Sequence, residues 1–174
     1  AHRVYLRNAD ARGVYTNSYF EYTRYLDLRR WTSSFEALAA TSDREMAVGL
    51  GANARELRVA IVSAELFSFF DAPPALGRYF TPAEDSVPRG ADVAVLGYAH
   101  WQSEYGGRDV RGEAIQIGSF KLTIIGVAAK GFDGAADAGR PVAYMPITTY
   151  AAGIRGDDAS EYYRTYNWSW MQVL

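Results

Sequence analysis

The alternation of apolar and polar residues along the chain changes between the spacing of a strand and that of a helix. Arg3 to Arg7 alternates and predicts a short strand, whereas Asn8 to Asn17 is polar and predicts a loop. In the next segment apolar residues recur at helical spacing, which predicts a helix over about Tyr19 to Trp31. The chain therefore opens with a strand, a loop and a helix.

The rest of the chain shows short strand patterns separated by glycine and proline breaks. The predicted elements are two or three strands within 35–63, of which 58–63 is the clearest, a helical turn over 64–70, a strand over 93–96, a hairpin of 113–117 and 121–127, a strand over 142–147, a loop over 153–160 and a strand over 168–174. Many strands with few helices between them predict the α+β class.

Two four-residue segments match the capping box, in which a Ser or Thr side chain accepts from a helical N–H and a Glu reaches back. Ser18 with Glu21 is predicted to begin the first helix. Thr81 with Glu84 is predicted to begin a helix of one turn. We expect both pairs to be structural.

A second helix is predicted from Tyr98 to Tyr105, with Trp101 among its apolar residues. Two glycines follow it, and a glycine in the left-handed conformation is a common end of an α-helix. We therefore expect Gly106 to end this helix.

Composition and charge exclude several classes of protein. The 174 residues contain no cysteine, which excludes a disulfide framework, a cysteine zinc site and an iron–sulfur cluster. Twenty acidic and 18 basic residues give a net charge of −2, and the arginines are scattered, so nucleic acid is not an expected partner. The apolar runs are far shorter than the ~20 residues that span a bilayer, so we expect no membrane insertion by this segment.

Candidate catalytic and metal-binding residues are few. His2 and His100 are far apart in the sequence, and no serine lies in a nucleophile-elbow motif. Asp157, Asp158 and Glu161 suggest a weak calcium site, but their spacing favours a solvated acidic loop. We predict no catalytic residue, no metal and no cofactor, and therefore a protein that is not an enzyme.

Aromatic residues are dense near the carboxyl end of the chain. They include Tyr162, Tyr163, Tyr166 and Trp168. One interpretation is core packing. The other is a partner-binding surface, because Tyr and Trp are enriched at protein interfaces.

Five segments, in the same order, resemble the periplasmic core domain of MacB-type and FtsX-like ABC transporter permeases. They are the helix and its tail at 22–40, Val-Ser-Ala-Glu-Leu-Phe at 62–67, Pro-Ala-Leu-Gly-Arg-Tyr-Phe-Thr-Pro-Ala-Glu-Asp at 74–85, the strand and helix at 93–107, and the strands at 124–147. We call 74–85, the most recognisable of the five, the signature segment. Glu65 and Leu66 replace the family's usual Asn-Tyr.

Two residues of the signature segment have expected structural roles. Gly77 is expected to permit a backbone conformation or a close approach that a side chain would block. Arg78 is expected to bind the following loop through a carboxylate or a carbonyl. Neither role involves chemistry on a substrate.

The resemblance implies a porter-like β-α-β half into which a second small mixed α+β subdomain is inserted. The porter-like part is expected over about 1–62 and 165–174, and the inserted subdomain over about 63–164. The resemblance also implies a position on the periplasmic side of the cytoplasmic membrane, between the first and second transmembrane helices of a permease.

The implied partners are the transmembrane helices of that permease, a cytoplasmic ATPase and a periplasmic adaptor. In this interpretation the domain passes ATPase-driven motion to export or envelope partners. Two other classes stay open. One is a module that binds a small molecule or lipid, favoured by the 14% aromatic content, and the other is a hydrolase, which needs a cleft with two carboxylates.

Overall fold

Strands outnumber helices in the folded chain. A computed structural model describes residues 2–10, 13–134 and 139–174. In these residues the strands are β1 (Leu6–Asp10), β2 (Gly13–Asn17), β3 (Phe20–Glu21), β4 (Ala40–Val48), β5 (Arg55–Val62), β6 (Leu76–Gly77), β7 (Val93–Leu96), β8 (Ala114–Ile117), β9 (Phe120–Val127), β10 (Ala143–Pro146) and β11 (Ser169–Val173). The helices are α1 (Tyr22–Trp31), α2 (Tyr98–Tyr105) and α3 (Ile147–Arg155), with 3₁₀-helices at Gly51–Asn53, Ala64–Phe70 and Gly156–Asp158. The predicted α+β class is confirmed.

Nine of the strands form one mixed sheet, and six of these close into a ring. The order around the ring is β4, β5, β10, β7, β9 and β8, and the pairing of Val48 with Ile117 returns from β8 to β4. The β5–β10 and β7–β9 pairs are parallel, and the other ring pairs are antiparallel. β11 and β3 extend the sheet beyond β4, and β6 pairs with β9. The β1–β2 hairpin forms a separate two-stranded sheet.

Alternate residues of the central strands pack into two separate cores. In β5, Val59 and Ile61 belong to the larger core, which also includes residues of all three α-helices. Ala60 and Val62 belong to a second core, which the 3₁₀-helix Ala64–Phe70 covers. A strand buried on both faces has no polar side, which explains why the central strands read as continuous apolar runs.

Most of the predicted elements are confirmed. They are the strand at 93–96, the helix at 98–105, the hairpin around 118–119, the helical turn at 64–70 and the strands near 58–63 and 168–174. Gly106 follows α2 with a φ of +61°, and its N–H donates to the Gln102 carbonyl at 3.2 Å.

Two predictions in less regular parts of the sequence are wrong. The polar segment 8–17 contributes to β1 and β2, because pairing two strands needs backbone hydrogen bonds and no apolar face. α3 replaces the end of the strand predicted over 142–147 and the start of the loop predicted over 153–160. Six of its nine residues are buried, so packing against the sheet stabilises a helix that the local sequence does not signal.

The capping box predicted at Ser18 and Glu21 is also wrong. α1 begins at Tyr22, its N-cap is Glu21, and no side chain caps it. Phe20 and Glu21 instead form β3, which pairs with β11 and buries Phe20 completely. The Glu21 carboxylate accepts hydrogen bonds from the Ser169 hydroxyl at 2.7 Å and from Arg24 of α1 at 2.9 Å, so it connects β11 to the helix without capping the helix.

Sheet pairing crosses the boundary expected between the porter-like part and the inserted part. β5, in the first, pairs with β10 in the second, and β4 pairs with β8. The two expected parts therefore contribute strands to one sheet, and the division at 63 and 164 stays a prediction.

Gly77 lies where β6 approaches β9 most closely. Its φ is +64°, and a Cβ at this position would lie 2.3 Å from the Ile125 carbonyl oxygen. Its strand partner Gly126 is as tightly placed, since a Cβ there would lie 2.2 Å from the Arg78 carbonyl oxygen. The two glycines let the two backbones meet without a side chain between them.

We expect Gly77→Ala to lower the free energy of unfolding by about 2–4 kcal/mol, because it combines left-handed strain with a backbone clash. Gly112→Ala is the matched control: Gly112 also has a positive φ, of +85°, but a Cβ there would meet no atom within 4 Å. Its cost should be about 1–2 kcal/mol. Urea denaturation of both variants measures the difference, and equal costs would refute the role of close approach.

Candidate functional site at the signature segment

Polar side chains hold the turn of the signature segment closed. Arg78 donates to both carboxylate oxygens of Glu84, at 2.6 and 2.7 Å. The Thr81 N–H and hydroxyl donate to Glu84 at 2.9 and 3.1 Å, and the Glu84 N–H donates to the Thr81 carbonyl. Of the two hydrogen bonds of the predicted capping box, only the one from the Thr81 N–H to the Glu84 carboxylate forms. The backbone makes a hydrogen-bonded turn here and not the predicted one-turn helix.

The next residue, Asp85, is buried, and its side chain lies between two helices. Its carboxylate accepts from the Ala64 N–H at 3.1 Å and from the Thr148 N–H and hydroxyl at 3.1 and 2.8 Å. Ala64 begins the 3₁₀-helix, and Thr148 is the second residue of α3. One carboxylate therefore satisfies N–H groups in the first turn of two helices, neither of which has a side-chain cap of its own.

Glu84 and Asp85 are neighbours whose pKa values shift in opposite directions. The hydrogen bonds from Arg78 lower the pKa of the Glu84 carboxyl to about 2. Burial raises the pKa of the Asp85 carboxyl to about 7, against the hydrogen bonds from Thr148 and Ala64, which lower it. Glu84 is thus a charged surface partner, whereas Asp85 titrates near neutral pH.

A second polar contact connects α1 to the 3₁₀-helix Ala64–Phe70. The Tyr25 hydroxyl oxygen lies 3.2 Å from Ser63 Oγ and 3.2 Å from Glu65 Oε2. Arg29 pairs with the other carboxylate oxygen of Glu65 at 2.8 Å. Glu65 therefore has two partners in α1.

The partner-surface prediction is wrong for Tyr162. This side chain is 2% exposed, its ring packs edge-on against Tyr22, and its hydroxyl donates to the Pro88 carbonyl at 2.8 Å. Tyr162 is therefore a core residue, because the loop that carries Pro88 and the helix that carries Tyr22 cover it.

The other aromatic residues of that cluster lie nearer the surface. Tyr163 and Trp168 are half-buried, and Trp168 stacks on Trp170 with ring centres 4.6 Å apart. Tyr166 is 53% exposed, and its hydroxyl donates to the Asp27 carboxylate. These three residues stay candidates for a partner surface.

Trp101 belongs to the larger core. Its side chain is buried, and its indole N–H donates to the Arg108 carbonyl at 2.7 Å. This bond ties α2 to the loop beyond Gly106.

The described residues contain no group of three or more histidine, aspartate or glutamate side chains placed to hold a metal ion. Asp157 and Asp158 lie in the 3₁₀-helix that follows α3 and are exposed. Within the same described ranges, no helix combines the length and apolar character that crossing a bilayer requires.

Among the clefts lined by described residues, two that lie away from the signature segment are large enough for a small molecule. One, of about 540 Å³, lies between residues 2–4, the loop at 34–37, Phe69 and Leu174. The other, of about 450 Å³, lies between α2 and the segments on either side of 135–138. Both fall in the size range of small-molecule sites, which is about 300–1,000 Å³.

The fold and the signature segment together define a mixed α+β domain built around a partly closed sheet. A scan against family models matches residues 3–171 to the MacB-like periplasmic core domain. The chain belongs to this family. A comparison with curated proteins finds no match.

Solved structures share the fold at low sequence identity. The periplasmic region of MacB from Actinobacillus actinomycetemcomitans matches with a TM-score of 0.64 and 12% identity, over 90% of this chain and 64% of that one. A permease-protein domain from Porphyromonas gingivalis matches with a TM-score of 0.64 and 13% identity, over 98% and 69%. The extracellular domain of the noncanonic ABC-type transporter YknZ from Gram-positive bacteria matches with a TM-score of 0.62 and 11% identity, over 90% of both chains. This chain therefore spans less than two thirds of the MacB periplasmic region.

Sequence patterns do not single out Asp85 and Thr148 as a pair. Asp85 is the last residue of the signature segment, and that position is its only local signal. Thr148 is 63 residues away in a helix that the sequence does not predict. Only the tertiary structure brings them together.

Asp85→Asn should reduce the dependence of stability on pH. The folded pKa of Asp85, about 7, lies above its ordinary value of 3.8, so the stability contributed by its proton is fully present below pH 3.8. That stability is lost as pH rises to about 7, with a slope of up to about 1.4 kcal/mol per pH unit. The free energy of unfolding, measured from pH 4.5 to 7.5, should fall with this slope in the wild type. In Asp85→Asn this slope should be lost.

Asp109→Asn is the control for this experiment. The hydrogen bonds from Arg111 lower the pKa of Asp109 to about 2, so it stays ionised across the measured range in both states. The variant should keep the wild-type slope. A wild-type stability that rises with pH and loses that rise in Asp85→Asn would mean that the hydrogen bonds outweigh burial.

Tyr162→Phe should cost about 1–2 kcal/mol of stability, because it removes the hydrogen bond from the hydroxyl of a buried side chain to the Pro88 carbonyl. Tyr166→Phe removes an equivalent hydroxyl from an exposed side chain and should change stability by less than about 0.5 kcal/mol. Thermal unfolding of the two variants checks this, and equal losses would contradict the assignment of Tyr162 to the core.

Proposed function

We propose that this chain is the extracytoplasmic domain of an ABC-type permease, and that it passes ATPase-driven motion of the membrane helices to partners outside the membrane. The observation that carries the proposal is the match of residues 3–171 to the MacB-like periplasmic core domain. Its partners are then the transmembrane helices of the permease, a cytoplasmic ATPase in the full assembly and, beyond the membrane, a periplasmic adaptor. The permease itself lies in the cytoplasmic membrane.

A part that transmits motion has to be stiff, and the polar contacts of the signature segment support that property. The Arg78–Glu84 pair closes the turn, and Asp85 connects the turn to α3 and to the 3₁₀-helix Ala64–Phe70. The Arg29–Glu65 pair continues the connection to α1. We infer that displacement of one of these elements displaces the others, since separating the turn from α3 and the 3₁₀-helix breaks the buried hydrogen bonds of Asp85.

The surface most suited to a partner contains Tyr163, Tyr166 and Trp168. Exposed tyrosine and half-buried tryptophan supply large contact areas at low entropic cost, as protein interfaces require. Arg155 lies 4.5 Å over the Trp168 ring and Arg24 lies 5.3 Å over the Tyr166 ring, so cations accompany the aromatic groups.

The absence of cysteine from the chain permits a labelling test in the parent permease, freed of cysteines elsewhere. Leu50→Cys, at a position 72% exposed, should react with a membrane-impermeant maleimide in intact cells as rapidly as in opened membranes. Ala39→Cys, at a completely buried position, is the control and should not react. Labelling of Leu50→Cys only after lysis would place the domain in the cytoplasm and overturn the proposal.

The same reagent tests the transmission of motion. In membranes that contain the permease and its ATPase, the labelling rates of Trp31→Cys, Leu50→Cys and Tyr166→Cys are measured with and without ATP. We expect ATP to change the rate at one or more of these exposed positions by at least about twofold, since moving the domain against a partner covers or uncovers part of its surface. If ATP leaves the labelling rates at all three positions unchanged, the mechanical role is refuted. The proposed location outside the cytoplasm is not affected by that result.

A further inference from the structure

The cleft of about 450 Å³ lies at the edge of the sheet where two parallel strands end. Tyr98 follows β7 and Lys130 follows β9, and the two strands are parallel neighbours. Arg140, which precedes β10, lines the same cleft. Loops that follow parallel strands meet at one edge of a sheet, which is how three distant segments of the chain come together here.

The charged residues that line this cleft, among those that the structure describes, are both cationic. Lys130 and Arg140 line it, and no aspartate or glutamate does so among the described residues. Within the described residues, neither Lys130 nor Arg140 forms an ion pair or a side-chain hydrogen bond. Eight arginines elsewhere, by contrast, pair with a carboxylate: Arg24, Arg29, Arg55, Arg58, Arg78, Arg89, Arg108 and Arg111.

The rest of the lining supplies hydrogen bonds and an apolar wall. Gln102 and Ser103 on α2 carry an amide and a hydroxyl, and Tyr98 and Phe132 contribute aromatic rings. Small-molecule sites have this composition, a mostly apolar wall with a few polar groups that set orientation. A guanidinium and an ammonium group together suit an oxyanion, which accepts from both.

We propose that this cleft binds a small oxyanion, a phosphate or carboxylate group carried on a ring or a similarly flat apolar body. Lys130 and Arg140 hold the charged group, and Tyr98 and Phe132 contact the apolar part. The site is independent of the signature segment and of the proposed transmission of motion. It assigns to the domain a soluble ligand rather than a lipid headgroup.

The chain has only two lysines, Lys121 and Lys130, which allows a direct test on the folded protein. Reductive methylation with ¹³C-formaldehyde keeps the charge of each lysine and gives each its own NMR signal, assigned with Lys121→Arg and Lys130→Arg. Titration with phenyl phosphate should shift the Lys130 signal in a saturable way, in the millimolar range, and leave the Lys121 signal in place. Lys121 is exposed on β9 and serves as the internal control.

Variants and further probes locate the interaction. Arg140→Gln should weaken phenyl phosphate binding by about tenfold, whereas Arg7→Gln, on the β1–β2 hairpin, should leave it unchanged. Inorganic phosphate should bind more weakly than phenyl phosphate, and phenol should not shift either signal.

Three outcomes would overturn the proposal. Equal shifts of both lysine signals would mean non-specific attraction of anions, and no shift of Lys130 would mean that the cleft holds no such ligand. A shift of Lys130 with phosphatidylglycerol vesicles but not with phenyl phosphate would assign the anion to a membrane lipid instead of a soluble molecule.

Discussion

The carboxylate of Asp85 is the interaction on which the arrangement of this domain depends. It accepts from backbone N–H groups in the first turns of the 3₁₀-helix Ala64–Phe70 and of α3, and from the Thr148 hydroxyl. Helix starts that are buried need a partner for their N–H groups, and a single acceptor here serves two of them. The two helices are therefore fixed relative to the signature segment, and through Glu65 and Arg29 relative to α1.

Glu84 and Asp85 show how position in the fold alone separates the pKa values of two neighbouring carboxyl groups. Glu84 lies at the surface in a bidentate pair with Arg78, and its pKa falls to about 2. Asp85 is buried, and desolvation raises its pKa to about 7. The first charge closes the turn at any physiological pH. The buried Asp85 carboxyl makes the connection between the two helices sensitive to protonation near neutral pH.

The proposed mechanical role and the proposed ligand site rest on separate features of the domain. For the mechanical role we assign stiffness to the signature segment and the body to the ring of six strands, and we propose Tyr163, Tyr166 and Trp168 as the contact surface. The cationic cleft between α2 and β10 belongs to none of these and points to a ligand.

Local spacing and ordered motifs are enough to predict the α+β class, the central strands, α2 with the glycine that ends it, and the family. They do not predict β3, α3 or the partners of Asp85. The predicted cap at Ser18 failed because pairing with β11 takes Phe20 and Glu21 out of the helix. α3 is a helix because six of its nine residues are buried against the sheet, and Tyr162 is a core residue because Tyr22 and Pro88 cover it. Contacts between residues that are distant in the sequence decide these features, so local patterns do not predict them.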